Sequence, residues 1–466
     1  MNVKISNVIT ITEPTAHLEK WCRKNLVLKN PDFEKKYRLG YWTGNTPETL
    51  SLYERRGDAL VLPFGCLRMI APLIKGADIS TSFTQPVEVD YGSPLPLYEY
   101  QSRAVDMVMT REYGILQSPA GSGKTQMGLA IVERYGRRAL WLCHTLDLVA
   151  QSRERAERYF DKSLIGTITG GKVDIGRGIT FATVQTMCRL DLAQYRDMWD
   201  VIIVDECHRA AGTPTSVTQF STVLNALAAR HKYGLSATVH RADGMIAATY
   251  ALLGPVIYTV PDKDVADTVM QVGVKTVGTG VRLSRECQNT DGTLNYTATI
   301  TYLCRNMERT RLIAEDIIRE REHSCLILSD RLDHLAYIMA MLPDLLIDRS
   351  VMISGKMTTK KGKAEREQAL EDMRIGRKKF LFATYSLAKE GLDIPCLDRL
   401  FMATPQKDYA VITQSIGRIA RKVEGKTPPV CYDYVDDIGY FVHSYRKRLT
   451  VYKKNRCYFV EDEDTP

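Results

Sequence analysis

One glycine-rich segment contains the residue types that bind phosphate groups. The segment Ser118–Thr125 follows a short apolar run, Gly114 to Leu116, with Ser118 in place of the usual first glycine. Glycines let backbone N–H groups approach an anion, and the start of a helix favours negative charge. In this pattern Lys124 reaches the β- and γ-phosphates, and Thr125 offers a hydroxyl to Mg²⁺. The predicted phosphate cradle consists of Gly121, Ser122, Gly123, Lys124 and Thr125.

Two acidic residues follow a second apolar run. Val201 to Val204 leads into Asp205, Glu206, Cys207 and His208. Ligands of parallel sheets bind at the carboxyl ends of strands, where these acids would lie. Asp205 is therefore predicted to hold Mg²⁺, and Glu206 to orient or deprotonate an attacking water. The alternative is that both acids only cap the next helix.

Apolar runs that alternate with helical patterns would position these residues. The first series of strand candidates comprises Gly114 to Leu116, Ala139 to Cys143, Ile179 to Ala182, Val201 to Val204 and Tyr233 to Leu235. After Pro261 the rhythm restarts at Cys325 to Leu328, Val351 to Ile353, Lys379 to Ala383, Arg399 to Met402 and Val430 to Tyr434. This alternation predicts two parallel α/β domains.

Composition predicts a soluble multidomain protein. The 466 residues are 44% hydrophobic and 25% charged, which excludes disordered, collagen-like and disulfide-scaffold classes. The net charge of +8 suits a polyanionic partner. The 11 cysteines include no CxxC pair, which disfavours zinc ribbons and iron–sulfur clusters. With no secretion signal at the start and no apolar run long enough for a membrane span, we expect a cytoplasmic protein that does not contact membranes.

The ordered motifs resemble those of superfamily-2 helicases. The glycine-rich segment and the Asp205–His208 segment resemble motifs I and II. Ser236 to Gly244 is similar to the SATPxRxDG run of the XPB and RadD type, with Val239 in place of proline. Ser329 to Leu335 is similar to the second domain of UvsW-like phage helicases. The resemblance implies two tandem RecA-like parallel-sheet domains with a small N-terminal accessory domain, and ATP and Mg²⁺ as cofactors.

The resemblance also implies roles in the first domain. Gln101 would recognise adenine, while His144 and Thr145, in a segment similar to motif Ia, would contact a nucleic-acid phosphate. His208 and a segment similar to motif III would couple hydrolysis to strand movement. The motif III residues are Ser236 and Thr238.

In the second domain the resemblance covers motifs V and VI. Thr384 would contact a DNA phosphate, and Gly391 and Asp393 would lie near the nucleotide. Arg418 and Arg421 would lie on one helical face and act as arginine fingers, with Gln414 at the head of the same motif. An isolated arginine pair of this kind is more often only solvated.

Two further segments suggest DNA contacts. Between Lys20 and Trp42, cations interleave with aromatic residues that could stack on bases, although these rings could equally form the core of a small module. Val281 to Leu303 predicts a β-hairpin around Asp291-Gly292 that would separate strands.

These observations predict a four-part chain. We expect an N-terminal DNA-recognition module at residues 1–90, RecA-like domains at 91–262 and 263–445, and a basic then acidic tail at 446–466. The predicted function is an ATP-dependent DNA helicase that moves 3′ to 5′ as a monomer and remodels branched DNA by fork reversal or Holliday-junction branch migration. Alternatives are an RNA helicase or duplex-RNA sensor, a non-unwinding translocase in a larger complex, and a binding protein with an inactive nucleotide site.

Overall fold

The chain forms two compact units, Met1–Val265 and Ala266–Pro466. The computed structural model describes residues 1–119, 121–237, 245–265, 269–355, 357, 359–389, 392 and 394–460. No helix in these ranges is long and apolar enough to cross a membrane.

The first unit begins with a five-stranded sheet of order β5-β6-β2-β1-β7 and a separate β3-β4 pair. Alternating buried residues such as Ile9 and Ile11 on β2 build its inner face. The elements are β1 Asn2–Ile5, β2 Val8–Thr12, α1 Ala16–Asn25, β3 Val27–Lys29, α2 Pro31–Arg38, β4 Thr49–Ser51, β5 Glu54–Arg56, β6 Ala59–Pro63, α3 Leu67–Ile70 and β7 Asp78–Thr81.

An eight-stranded sheet completes the first unit, in the order β11-β10-β12-β9-β13-β14-β8-β15. All pairs are parallel except β10 with β11. Its elements are α4 Glu99–Met109, β8 Tyr113–Gln117, α5 Lys124–Tyr135, β9 Ala139–Cys143, α6 Leu146–Ala156, β10 Ile165–Thr169, β11 Lys172–Asp174, β12 Ile179–Thr183, α7 Val184–Met187, β13 Val201–Val204, α8 Pro214–Ala226, β14 His231–Ser236, α9 Ile246–Leu253 and β15 Val256–Thr259.

The N-terminal sheet shares a core with the parallel-sheet region and is not a separate body. Phe64 packs on Tyr113 with ring centroids 4.7 Å apart, and Ala248 and Ala251 of α9 belong to the same buried cluster. A Cβ on Gly65 would lie 2.4 Å from the backbone nitrogen of Gly254, so the two segments meet backbone to backbone.

The second unit contains one seven-stranded sheet, all parallel, of order β18-β19-β17-β20-β21-β16-β22. Its elements are β16 Gly273–Arg282, α10 Tyr296–Arg305, α11 Met307–Arg319, β17 Cys325–Ser329, α12 Leu332–Ala340, α13 Asp344–Ile347, β18 Ser350–Met352, α14 Lys360–Arg374, β19 Phe380–Thr384, α15 Tyr385–Lys389, β20 Arg399–Met402, α16 Tyr409–Ile419, β21 Val430–Asp437, α17 Gly439–Lys454 and β22 Tyr458–Phe459. The predicted α/β class with two parallel sheets is confirmed, and each of the ten predicted strands is present to within a few residues.

The predicted hairpin from Val281 to Leu303 is wrong beyond its turn. Gly292 has the expected positive φ of 79°, and one antiparallel bridge joins Gln288 to Leu294. The second half is the helix α10, because Asn295 caps its start and its apolar residues Ile300 and Leu303 recur at helical spacing.

The predicted tail at 446–466 is also wrong as far as residue 460. Helix α17 crosses residue 446, and Arg448 is fully buried, with its Nε 2.8 Å from Asp433 Oδ2. Strand β22 then pairs with β16 at the sheet edge. The basic residues therefore belong to a packed helix, since a buried ion pair fixes its inner face, while residues 461–466 lie outside the described ranges.

Candidate nucleotide and nucleic-acid sites

The glycine-rich segment turns from β8 into α5 through two left-handed residues. Gly121 and Gly123 have φ values of +82° and +79°, and α5 begins at Lys124. A Cβ on Gly123 would lie 2.4 Å from Gln101 Nε2. The left-handed conformation therefore favours glycine at this position, and a side chain there would also displace the Gln101 amide.

Helix α4 holds the loop from the side. The Ser122 carbonyl accepts hydrogen bonds from Tyr100 Oη at 2.8 Å and from Gln101 Nε2 at 2.9 Å. Gln101 Oε1 accepts from the Tyr98 backbone N–H, and the Ser118 and Ser122 hydroxyls lie 2.5 Å apart. The Gln101 amide thus contacts the loop itself in this conformation, and its contact with adenine stays a prediction.

Lys124 and Glu206 bring the two predicted motifs together. Lys124 Nζ lies 3.9 Å from Glu206 Oε1, and the two side chains are only 12% and 19% exposed. This ion pair joins the first turn of α5 to the carboxyl end of β13. The phosphate-binding segment and the two acids were predicted to lie together at this edge of the sheet.

Asp205 is a buried carboxylate held from two directions. Its Oδ1 accepts the Glu206 N–H at 2.9 Å, and its Oδ2 accepts the Ser152 hydroxyl at 3.3 Å. Burial, and secondarily the neighbouring Glu206 charge, raises the pKa of Asp205 to about 6, while Lys124 acts in the opposite direction. A cation bound at this carboxylate would relieve that cost.

Glu206 starts a chain of contacts that returns to the glycine-rich loop. It adopts a left-handed conformation with φ +47°, which is strained for a residue with a side chain. Its Oε2 lies 3.3 Å from His208 Nδ1, which is 3.0 Å from Ser236 Oγ. The Ser236 carbonyl accepts the Ser118 N–H at 2.9 Å. Three predicted motifs are therefore in direct contact, whereas Thr238 lies outside the described residues.

His144 and Thr145 occupy the turn between β9 and α6. Neither ring nitrogen of His144 has a hydrogen-bond partner among the described residues. Burial, followed by the charges of Arg209 and His208, lowers the pKa of His144 to about 4. Thr145 Oγ1 accepts the Leu148 N–H and caps α6. Their contact with nucleic acid stays a prediction.

Ser152 is a site residue that the motif search missed. It lies two turns along α6 from the Thr145 cap and donates to Asp205. Only its helical spacing from Thr145 could have indicated that it faces inward. Tyr100 was missed likewise, although it is adjacent to Gln101.

In the second unit, Thr384 ends β19, and its Oγ1 lies 3.0 Å from Ser386 Oγ. Arg418 donates to the carbonyls of Ala388 in α15 at 2.9 Å and of Leu392 at 3.0 Å, so part of its guanidinium holds these two backbone positions. Gln414 Oε1 is buried without a hydrogen-bond partner among the described residues. The predicted Gly391 and Asp393 lie outside those residues.

Arg418 and Arg421 do not share a helical face. Helix α16 ends at Ile419, and Arg421 forms a bridge with Val269 instead. Lys426 Nζ donates to the carbonyls of Ile419 and Arg421, at 2.7 and 2.8 Å, and so stabilises this helix end. The Arg418 side chain therefore leaves a helix, whereas the Arg421 side chain leaves an extended segment beyond it.

Two family models match the two parallel-sheet regions in the order that the motifs predict. Residues 94–241 match the type III restriction enzyme res subunit model, and residues 308–423 match the helicase conserved C-terminal domain model. The chain belongs to the superfamily-2 helicases. Such helicases are ATP-dependent, and the glycine-rich loop stays the predicted ATP site of this helicase.

Curated relatives include viral and cellular helicases. The chain is 26% identical over 342 residues to probable helicase D10 of Escherichia phage T5, covering 73% of this chain and 72% of that protein. It is 21% identical over 439 residues to the ATP-dependent DNA helicase uvsW of Enterobacteria phage T4, covering 87% and 84%. It is 31% identical over 180 residues to the DNA 3'-5' helicase XPB of Mycobacterium tuberculosis, covering 36% and 31%.

A solved structure supports the fold. The helicase aligns with S. cerevisiae Dbp5 bound to RNA and ADP BeF3 at a TM-score of 0.54 and 17% identity, covering 86% of this chain and 95% of that one. At this identity the likeness concerns the fold alone.

Proposed function

We propose that this helicase acts on DNA, moves 3′ to 5′ along one strand and remodels branched molecules. The observation that carries the proposal is an exposed surface of aromatic and basic side chains on α2 and the segment after it. This surface belongs to the same compact unit as the ATP site. A conformational change at the ATP site would therefore act on the DNA-binding surface within one compact unit.

The aromatic residues of this surface do not serve the core. Helix α2 has no buried residue, and Tyr37, Tyr41 and Trp42 are 76%, 65% and 87% exposed. Phe33 stacks on Tyr37 with ring centroids 6.2 Å apart and planes at 7°. Of the rings between Lys20 and Trp42, Trp21 packs against the core cluster. Exposed rings are suited to stacking on unpaired bases.

Three basic residues lie beside the rings of Phe33 and Tyr37, together with Glu34 and Glu48. An open depression of about 700 Å³ is lined by Lys29, Pro31, Phe33, Glu34, Lys35, Tyr37, Arg38 and Glu48. Ammonium and guanidinium groups neutralise backbone phosphates while neighbouring rings hold bases. This combination matches the unpaired bases and close backbones at a branch point.

The ATP site would drive this activity. Thr125 offers a hydroxyl and Asp205 a carboxylate, the hard oxygen donors that Mg²⁺ accepts beside nucleotide phosphates. Bound Mg²⁺ neutralises phosphate charge, and Glu206 would orient or deprotonate the attacking water. Arg418 and Arg421 of the second unit would stabilise charge on the γ-phosphate in the transition state.

A side-by-side measurement of ATPase stimulation tests the substrate. We expect branched DNA to stimulate hydrolysis more than single-stranded DNA, and duplex RNA to stimulate it least. Unwinding should proceed on 3′-tailed DNA and fail on 5′-tailed DNA. Tyr41→Ala combined with Trp42→Ala should remove the preference for branched DNA, whereas Tyr337→Ala, an exposed ring of the second unit, should not.

Each alternative gives a different result. Stronger stimulation by duplex RNA would favour an RNA helicase or sensor and overturn the DNA assignment. ATPase stimulation by DNA without strand separation or branch migration would indicate a non-unwinding translocase. An unchanged branch preference after loss of both rings would remove the role proposed for the N-terminal surface.

A further inference from the structure

The loops at one edge of the second unit's sheet present a set of side chains that no helicase motif accounts for. Strands β19, β17, β20 and β21 are neighbours and parallel, so their carboxyl ends share an edge. Thr384 ends β19 there, the loop after β20 contributes Lys407, and the first turn of α17, which follows β21, contributes Tyr440. Ligands of parallel sheets bind at this edge.

Hydrogen bonds between the loops fix the position of Lys407. The Asp330 N–H donates to Thr404 Oγ1 at 2.9 Å, and the buried Arg448 donates to the Gln406 carbonyl at 2.8 Å. The segment just before Lys407 is thus held at Thr404 and Gln406 before any ligand arrives. A positioned ammonium loses less conformational freedom on binding than a free one.

Two tyrosine rings surround this ammonium. Lys407 Nζ lies 5.8 Å from the ring centroid of Tyr296 and 5.3 Å from that of Tyr440, and it donates to Tyr440 Oη at 2.6 Å. The rings are 5.8 Å apart at 65° to each other. We name Tyr296, Lys407 and Tyr440 the tyrosine–lysine cluster.

The base of the cluster is rigid while its outer face is open. Phe441 is 2% exposed and packs beneath, with its ring centroid 6.2 Å from Tyr296 and 5.5 Å from Tyr440. It belongs to a small core with Ile300 and Leu303 of α10. Tyr296 and Tyr440 keep 41% and 37% of their surface exposed. Phe441 already fills this small core, so the two tyrosine rings are not needed to complete it.

We infer that the tyrosine–lysine cluster is a nucleotide-binding step for single-stranded DNA, in which one base stacks on an exposed tyrosine ring and Lys407 contacts the adjacent phosphate. A strand presents a base and a phosphate in each nucleotide. An aromatic ring can stack on the base, and a neighbouring ammonium can bind the phosphate. The inference rests on the proposed DNA function. The cluster would add a second DNA contact to the one predicted at Thr384, on the same edge of the sheet.

Matched oligonucleotides separate the two contacts. Binding is measured by fluorescence anisotropy to a thymidine strand and to an abasic strand of equal length, at several salt concentrations. The double variant Tyr296→Ala/Tyr440→Ala should bind the thymidine strand about tenfold more weakly and the abasic strand unchanged. Lys407→Ala should weaken both and lower the salt-dependence slope by about 1.

Controls keep the result specific. Tyr296→Phe/Tyr440→Phe retains both rings and should bind as the wild type, and Tyr337→Ala removes an exposed ring of the same unit outside the cluster. Equal losses on both strands for the alanine double variant, or no loss on either, would overturn the inference. A wild-type chain that binds neither strand would instead contradict the proposed function itself.

Discussion

At the scale of single residues, the predicted ATP site brings charged groups close together in a buried environment. Asp205 and Glu206 are adjacent acids, and burial raises the pKa of Asp205 to about 6. Lys124, 3.9 Å from Glu206, offsets part of that cost. A triphosphate with Mg²⁺ would replace these internal contacts, so the residues have distinct tasks in binding and in turnover.

Substitution of Lys124 and Glu206 should separate those tasks. Lys124→Ala removes the cation for the β- and γ-phosphates and should abolish detectable hydrolysis. Glu206→Gln retains the size of the side chain and should preserve ATP binding while lowering kcat by about 100-fold or more. Binding of a fluorescent ATP analogue and steady-state ATPase rates measure the two effects. Wild-type turnover in Glu206→Gln would contradict the assignment.

The two arginines should respond differently to loss. Arg421→Ala should leave nucleotide affinity nearly unchanged and lower the hydrolysis rate, as expected for a transition-state contact. Arg418→Ala should lower the rate and also destabilise the second unit by about 1 to 3 kcal/mol, because its guanidinium holds the carbonyls of Ala388 and Leu392. ATPase rates and urea unfolding of both variants check this. An unaffected rate in Arg421→Ala would exclude it as an arginine finger.

At the scale of elements, α6 joins a predicted nucleic-acid contact to Asp205, the predicted metal ligand. Thr145 caps its first turn, and Ser152, two turns later, donates to Asp205. A shift of α6 would therefore move both the predicted phosphate contact at Thr145 and the hydrogen bond from Ser152 to Asp205. The sequence could place each residue on the helix, but not the acid that Ser152 meets.

Two substitutions of Thr145 distinguish its cap from its predicted phosphate contact. Thr145→Ala should cost about 1 kcal/mol of stability through loss of the cap. Thr145→Asp retains a capping oxygen and should keep that stability, yet should weaken DNA binding about tenfold through repulsion of the phosphate. Thermal unfolding and DNA titration measure the two quantities. Undiminished DNA affinity in Thr145→Asp would show that the side chain only caps the helix.

At the scale of the molecule, the N-terminal sheet and the first parallel sheet are joined through a buried cation. Lys232 on β14 is fully buried, donates to the carbonyls of Leu224 and Asn7, and lies 5.1 Å from the Phe64 ring centroid. Burial lowers the pKa of Lys232 from 10.5 to about 7. The unfolded chain therefore binds this proton more readily between these values, and stability should rise with pH across that window.

Lys232→Met should make this dependence visible. Methionine keeps the apolar stem against Phe64 without the desolvation cost, so the thermal midpoint should rise by about 5 °C near neutral pH. The advantage should shrink as the pH approaches the unfolded lysine value, since the wild type gains stability there. Thermal unfolding at several pH values, with the exposed Lys172→Met as control, measures it. A constant difference between wild type and variant would refute the titration of Lys232.

The sequence determined the features that depend on neighbours along the chain. Apolar runs bounded by polar residues predicted ten of the strands in the two large sheets, and the Asp291-Gly292 pair predicted the positive φ of Gly292; β10, β11, β15, β16 and β22 were not predicted. The two parallel sheets and the proximity of Lys124 to Asp205 and Glu206 followed, because parallel strands bring their carboxyl ends to one edge.

Only the tertiary structure decided which surfaces meet. Within the first unit, the N-terminal sheet packs on the parallel-sheet region at Gly65 and Lys232. The sequence around these two residues does not indicate which segments they contact. The pattern near Leu303 suited a strand as well as a helix, and burial of the Ile300 and Leu303 face beside Phe441 adds to the Asn295 cap in favour of α10. Helix α16 ends before Arg421, where Lys426 from a later turn donates to the carbonyls of Ile419 and Arg421. Contacts between distant segments have energies that local periodicity does not encode.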